Sequence, residues 1–265
     1  MESRVKAVVV TGSGGNGCGR AIARRFARDG APVVVSDLQE PGGHESVRQI
    51  EAAGGRAVFF KADVRIEDQV RDLARFAETS FGHVGVWVNN ASLYRPADPL
   101  EHWSDTVQTE LFGTMYGTRV AIEALRRGGG GAVVNMSSIS GLWHGRTRTV
   151  GAPAYDFAKA GIIRLTTTLA WLGDSEHIRV NCLAPGWIGT DEVRSYWESL
   201  TPERRRELGV PSRLLPVEEI AGAVMRLATD ETLCGRVLVW WSEDSPRLIE
   251  WGDPGYARAV EIPLS

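Results

Sequence analysis

With 265 residues, 43% of them hydrophobic, the chain is long for one average domain, yet α/β folds of this size form single units with large cores. Its 30 basic and 33 acidic residues leave a net charge of −3, no electrostatic footprint for nucleic acid, and no basic run suggests an anionic membrane. The three cysteines, Cys18, Cys182 and Cys234, are too dispersed for a disulfide or zinc framework. No leader pattern and no apolar run of ~18 residues appears, so the reading is a cytoplasmic protein.

Taken in chain order, short β-branched runs alternate with helical patterns. "KAVVVT" (6–11) reads as a strand, followed by a glycine-rich turn and the helix pattern "RAIARRFARDG" with Ile22, Ala23 and Phe26 on one face. Strand candidates follow at 32–37, 56–63, 84–91, 131–138, 178–185 and 235–241. Between two of them, "EDQVRDLARFAETSFG" repeats Val70, Leu73, Ala74 and Ala77 and stops at Gly82. Several strands are apolar at consecutive positions, as strands covered on both faces are. This rhythm predicts an α/β fold: one Rossmann-type doubly wound sheet of about seven parallel strands with helices on both faces. "RRGGGG" (126–131) reads as a helix-to-strand joint, so residues 1–265 form one domain.

The turn "TGSGGNGCG" (11–19) sits where backbone N–H groups and a helix N-terminus can cradle a pyrophosphate. It can be read as G-x-G-x-x-G from Gly12 through Gly14 to Gly17, or as Thr11-Gly12, a spacer, and Gly17-Cys18-Gly19. Asp37 ends the second strand, where a carboxylate accepts hydrogen bonds from ribose hydroxyls and repels a 2′-phosphate. Neither Ser36 nor Leu38 offers a compensating positive charge, so NAD is favoured over NADP. Tyr155 and Lys159, four apart, share one helix face. A tyrosine has a pKa of about 10, and a nearby ammonium favours its phenolate, which can take the proton of an alcohol.

Together these motifs resemble the short-chain dehydrogenase/reductase family in its compact single-domain form. The resemblance runs from about Val5 to Val239. It rests on Thr11-Gly12 with Gly17-Cys18-Gly19, on Asp63-Val64, on "NNAS" (89–92), on "NMSS" ending at Ser138, on "YDFAK" (155–159) and on "APGWIGT" (184–190). It implies an NAD-dependent oxidoreductase interconverting a secondary alcohol and a ketone. Tyr155 would be the general base and acid, Lys159 would also bind the nicotinamide ribose, and Ser138 would bind the substrate oxygen. The cofactor would be held by Gly12, Ser13, Asn16, Gly17, Cys18, Gly19, Asp37, Leu38, Asp63, Val64, Asn90, Tyr155, Lys159, Pro185, Gly186, Ile188 and Thr190. No ligand spacing for a metal appears among the scattered histidines.

The sequence departs from the family pattern in three places. The spacer Ser13-Gly14-Gly15-Asn16 is one residue too long, and its glycines would let the extra residue bulge. Glu110 stands where the family commonly has an asparagine that holds a relay water. It could hold that water, or pair with Lys159 and weaken the lysine's pull on Tyr155. The C-terminal segment 242–265, with Trp240 and Trp241 before it and Trp251 within it, would pack across a homo-oligomer interface, a tetramer.

Tyr94, Arg95, Trp143, His144, Arg146, Arg148, Trp187, Tyr196 and Trp197 fall near the expected site, the last two on a lid-like segment (191–208). They suit a cyclic or aromatic alcohol or ketone, with an arginine available to an anionic group. Two other readings stand beside this one: an epimerase or dehydratase with tightly held NAD, and a dinucleotide-binding sensor or scaffold with an impaired site.

Overall fold

The computed structural model describes residues 6–93, 102–142 and 152–252. Seven parallel strands form one sheet: β1 (Ala7–Thr11), β2 (Val33–Asp37), β3 (Ala57–Lys61), β4 (Val84–Asn89), β5 (Gly131–Met136), β6 (Ile178–Pro185) and β7 (Val237–Trp240). A two-residue strand, β8 (Arg247–Leu248), adds antiparallel to β7 and makes eight where the sequence predicted about seven. The order across the sheet is β3-β2-β1-β4-β5-β6-β7-β8. It reverses direction between β1 and β4, and a crevice opens at such a reversal beyond the carboxyl ends of the strands.

The strands have to be apolar on both faces because helices cover both. Val8 and Val10 point to one side, where they meet Ile22, Ala23 and Phe26 of α1 (Cys18–Arg28) and Ile50 of α2 (Glu40–Ala52). Val9 points to the other, against Val70, Leu73, Ala74 and Ala77 of α3 (Glu67–Phe81). Each of these buried side chains contributes roughly 1.5–3 kcal/mol of transfer free energy, alanines less.

Next in the chain come α4 (Trp103–Val107), a π turn (Gln108–Phe112), α5 (Gly113–Arg127), a 3-10 turn (Ile139–Leu142) and α6 (Pro153–Thr168). The chain then adds α7 (Leu172–Glu176), α8 (Asp191–Ser199), α9 (Pro202–Leu208) and α10 (Val217–Thr229), which lies beside α1. The glycine run 128–131 joins α5 to β5 as expected. Among the described residues no helix is long and apolar enough to cross a membrane.

A buried polar brace fixes the middle of the sheet. Asn89 of β4 accepts from Trp87 Nε1 (2.9 Å) and donates to Asn135 Oδ1 of β5 (2.8 Å) and to Thr118 Oγ1 of α5 (3.1 Å). Asn135 in turn donates to Thr166 Oγ1 of α6 (3.1 Å). Gly117 lets α5 come this close, since a Cβ there would sit 2.0 Å from Asn89 Oδ1. The brace locks β4, β5, α5 and α6 in register, and these elements carry the candidate site.

The expected interface role of Trp240 is corrected by its burial: it is 8% exposed in its own core and donates through Nε1 to Asp244 O (3.0 Å). Trp241 and Trp251 are exposed, and Trp251 lies under the Arg236 guanidinium at 5.2 Å. Residues 242–252 thus begin by folding back along β7; the rest of the expected interface segment, 253–265, lies outside the described residues.

Replacing Asn135 by leucine keeps the volume but leaves Asn89 and Thr118 donors without their acceptor. We expect a loss of about 2–3 kcal/mol in denaturant unfolding. A change under about 0.5 kcal/mol would show that the brace does not hold the sheet.

Candidate active site

Close approaches are sharpest at two glycines of the loop. Gly12 has φ +64°, with Ala91 Cα 2.5 Å from where a Cβ would lie, and a Cβ at Gly19 would fall 2.1 Å from the Gly12 carbonyl oxygen. Asn90 clamps this contact, its Nδ2 donating to the carbonyls of Thr11 (3.0 Å) and Gly12 (2.9 Å). Gly12 and Gly19 are thus the tightest points of the loop, as the register Thr11-Gly12, spacer, Gly17-Cys18-Gly19 requires, although Gly14 is close-packed too.

The long spacer folds inward at its start. Ser13 is fully buried, donating to Val10 O (2.7 Å) and accepting from Ser36 N (3.1 Å), so its side chain faces the protein interior. The Gly14 N–H donates to Asp37 Oδ2 at 2.8 Å. Its carbonyl accepts from the buried Arg20, whose Nε also donates to Ser46 Oγ (2.8 Å) and whose Nη2 reaches Gly42 O (3.2 Å). Ser46 completes the circuit by donating to Ser13 O (2.7 Å). Gly15 and Asn16 are exposed, and Asn16 donates to Asp191 of α8 (2.8 Å).

These residues fit a dinucleotide. The first turn of α1 has no acidic residue and Gly17 supplies no side-chain cap, so its N–H groups suit a pyrophosphate. A Cβ at Gly17 would meet only Thr190 Cγ2, at 3.5 Å, which places the loop beside the start of α8. Asp37 Oδ1 accepts from Gln39 N (2.9 Å), which with Gly14 uses two of about four acceptor sites of the carboxylate and leaves the others for hydroxyls.

The other expected cofactor residues line the same edge. Leu38 is 50% exposed next to Asp37. Asp63 is engaged by Arg65 Nε (2.9 Å), a hydrogen bond that holds its carboxyl below the usual range. Val64 packs against Gly113 of α5. Burial pushes the Cys18 thiol up to about 12, so it stays neutral. Beyond Pro185, Gly186 N donates to Trp240 O (2.7 Å) and Trp187 N to Ser242 Oγ (3.0 Å). Ile188 bridges to Leu215, and Thr190 leads into α8, where Tyr196 stacks on Trp187 with centroids 6.1 Å apart.

The catalytic candidates converge where β5 meets α6. Ser138 follows β5 and its Oγ accepts from Ser140 N (3.2 Å). The 3-10 turn then touches α6: a Cβ at Gly141 would lie 2.6 Å from Ala160 N. Ser137 Oγ donates to Lys159 O (2.7 Å), and Lys159 Nζ donates to Met136 O (3.0 Å) while lying 5.1 Å from the Tyr155 ring centroid.

Glu110 takes the second of the two roles open to it. Its Oε2 lies 2.7 Å from Lys159 Nζ, a buried ion pair. Oε1 accepts from Ser92 Oγ and from Leu93 N, both at 2.6 Å. The carboxylate is fully buried on the π turn, a local widening of the helix that is frequent at functional sites. Burial works to strip Lys159 of its charge, but the Glu110 carboxylate and then Tyr155 hold its pKa above the ordinary amine value. Ser92 of "NNAS" and Glu110 are thus one feature, because each supplies the other's partner.

Among the described residues no group of three or more histidines, cysteines or acids could hold a metal. Tyr94, Arg95, Trp143, His144, Arg146 and Arg148 lie outside the described residues. Sequence reasoning missed the parts played by Ser92, Arg20 and Ser46; the serine in "NNAS" and the arginine straight after Gly19 were the available signals.

A sequence profile of the short chain dehydrogenases matches residues 6–200, and the chain belongs to this family of oxidoreductases, whose members normally bind a nicotinamide dinucleotide. It is 37% identical to 3beta-hydroxysteroid dehydrogenase 1 of Eggerthella lenta, over 85% of this chain and 87% of that one. It is 35% identical to a 3-oxoacyl-(acyl-carrier-protein) reductase of Chlamydia muridarum, over 88% and 94%. A crystal structure of a Burkholderia xenovorans protein assigned to the short-chain dehydrogenases/reductases superposes with TM-score 0.79 at 27% identity, over 89% and 95%.

Lys159→Met would strand the Glu110 carboxylate in the interior. We expect a loss of about 3–5 kcal/mol in denaturant unfolding, part of it recovered by adding Glu110→Gln. Because the folded pKa of Lys159 is raised, the pair's contribution is complete below the ordinary lysine value and is lost only as pH rises through the folded one.

Proposed function

We propose that the protein is an NAD-dependent oxidoreductase that interconverts a secondary alcohol and a ketone, with Tyr155 as the proton-transferring group. The observation that carries this reading is Lys159 Nζ, bonded to Met136 O and 5.1 Å from the Tyr155 ring centroid, with Ser138 just after β5 at the carboxyl edge of the sheet that also carries the glycine loop. When bound, the nicotinamide supplies or accepts hydride. Tyr155 takes the hydroxyl proton during oxidation and returns it during reduction. Lys159, anchored by Met136 O and Glu110, holds positive charge beside the phenol and binds the nicotinamide ribose. Ser138 orients the substrate oxygen. Asp37 accepts from ribose hydroxyls and repels a 2′-phosphate, while Arg20 is buried and bound to Ser46, Gly14 and Gly42.

The substrate we favour is a cyclic alcohol or ketone. Trp187 stacked on Tyr196 gives a flat apolar surface at the start of the lid-like segment, and one relative is named for a hydroxysteroid. The exposed rings of Trp241 and Trp251 support association into a homo-oligomer, a tetramer in our reading.

A screen of cyclic secondary alcohols and ketones, followed by NADH absorbance, should find a turned-over substrate. Tyr155→Phe should lower its rate by about 10²–10⁴-fold. Rates undiminished in Tyr155→Phe would remove the tyrosine from the chemistry.

Glu110 predicts the pH dependence. A buried carboxylate beside Lys159 opposes the lysine's pull on Tyr155, so the pair gives up its first proton at higher pH. Among the described residues nearby, burial pushes Cys182 on β6 up to about 12, and Asp156 on α6 faces Ser140. Glu110→Gln should therefore move the acid limb of kcat/KM for alcohol oxidation down by about one pH unit. An unmoved limb would show that the carboxylate does not act on the proton transfer.

A further inference from the structure

The long spacer reaches a residue that a plain turn would leave alone. The Gly14 N–H is hydrogen-bonded to Asp37 Oδ2 at 2.8 Å, so one carboxylate oxygen is pinned from the loop and the other by Gln39 N at 2.9 Å. Gly14 has no slack. A Cβ there would lie 2.9 Å from Asp37 Cβ and Cγ and 3.0 Å from Gly43 N, and Gly42 is held equally close from the other side, its Cβ position 2.4 Å from the Gly14 carbonyl oxygen. Behind the loop stands Arg20, 9% exposed, a buried cation that no step of the chemistry uses. It donates to the Gly14 and Gly42 carbonyls and to Ser46, which itself holds Ser13 O. A buried arginine is costly unless it is hydrogen-bonded, and here Nε and Nη2 are bonded to the spacer and to Gly42 and Ser46 of α2.

We propose that Gly14 and Arg20 are positioning residues for cofactor choice: the extra loop residue and its buried arginine fix the Asp37 carboxylate in the one orientation that takes a ribose diol and refuses a 2′-phosphate. The inference rests on the reading of Asp37 as the ribose-binding residue. The pinned carboxylate meets an incoming ribose already oriented, so little ordering is lost on binding. It cannot swing aside to admit a phosphate, because that motion breaks the Gly14 and Gln39 bonds. Arg20 does not provide the compensating charge a phosphate needs, since its guanidinium is turned into the protein and bound to carbonyls. The preference for NAD is therefore a property of the loop backbone as well as of the acidic side chain.

The test is binding, and needs no substrate. Dissociation constants for NADH and NADPH are measured by tryptophan-to-nicotinamide energy transfer for the wild type, Gly14→Ala, Arg20→Gln and Gly15→Ala. Gly15 is exposed and a Cβ there meets nothing within 4 Å, so Gly15→Ala is the control. The wild type should prefer NADH. Gly14→Ala should lose about tenfold of that preference, the size of one hydrogen bond to a charged acceptor, chiefly through weaker NADH binding. Arg20→Gln should shift the preference in the same direction, and it reports on the same device should Gly14→Ala fail to fold. Gly15→Ala should keep the wild-type ratio. A preference retained in both Gly14→Ala and Arg20→Gln, or a loss of affinity equal for the two dinucleotides, would overturn the proposal. A wild type that binds neither dinucleotide, or binds both alike, would instead sink the reading of Asp37 on which it rests.

Discussion

The interaction on which the site depends is the buried pair of Lys159 and Glu110, 2.7 Å apart with both side chains almost wholly inside the protein. Two charges taken out of water are tolerated only where further partners surround them. Here those partners come from three places: Met136 O at the end of β5, Tyr155 on α6, and Ser92 and Leu93 N after β4, with Glu110 itself on the π turn. Satisfying the pair therefore fixes, at one point, every element that carries a catalytic candidate. The Asn89–Asn135 brace lies just below it in the sheet and holds the same elements from underneath. The consequence for chemistry follows directly. The lysine stays charged although buried, yet its charge is shared with a carboxylate before it reaches the tyrosine.

A second polar network does the corresponding work at the other end of the crevice. Arg20, Ser46 and Ser13 tie the glycine loop to α2, and Gly14 passes that constraint to Asp37. Both networks appear where this chain departs from its family, at the lengthened spacer and at Glu110. In each case a change of sequence is absorbed by new hydrogen bonds within the protein. The frame of the crevice is kept, and its electrostatics and its freedom to move are altered.

The seven parallel strands and the buried faces of α1 and α3 were legible in the sequence because period and composition are local: Val8 and Val10, or Leu73 and Ala77, announce their surroundings by spacing alone. The register of the glycine loop was also legible once the Thr-Gly and Gly-x-Gly pairs were set against Asp37. What was not legible depended on contacts distant in sequence. Glu110 and Lys159 are 49 positions apart, and only the fold decides between a held water and an ion pair. The inward turn of Ser13 and Gly14 needed Arg20 and Ser46, neither of which looks unusual by itself. Trp240 was misread as an interface residue because a tryptophan near the end of a sheet carries no local sign of which side will be covered.

In the function proposed above, one edge of this sheet orders a nicotinamide dinucleotide between Asp37 and Tyr155. A crystal structure of the complex with NAD⁺ tests it most directly. We expect the adenine-side ribose hydroxyls on the Asp37 carboxylate, the pyrophosphate at the start of α1, and the nicotinamide ribose on Lys159 with the ring beside Tyr155. A dinucleotide bound elsewhere, or a crevice that stays empty at saturating NAD⁺, would contradict it.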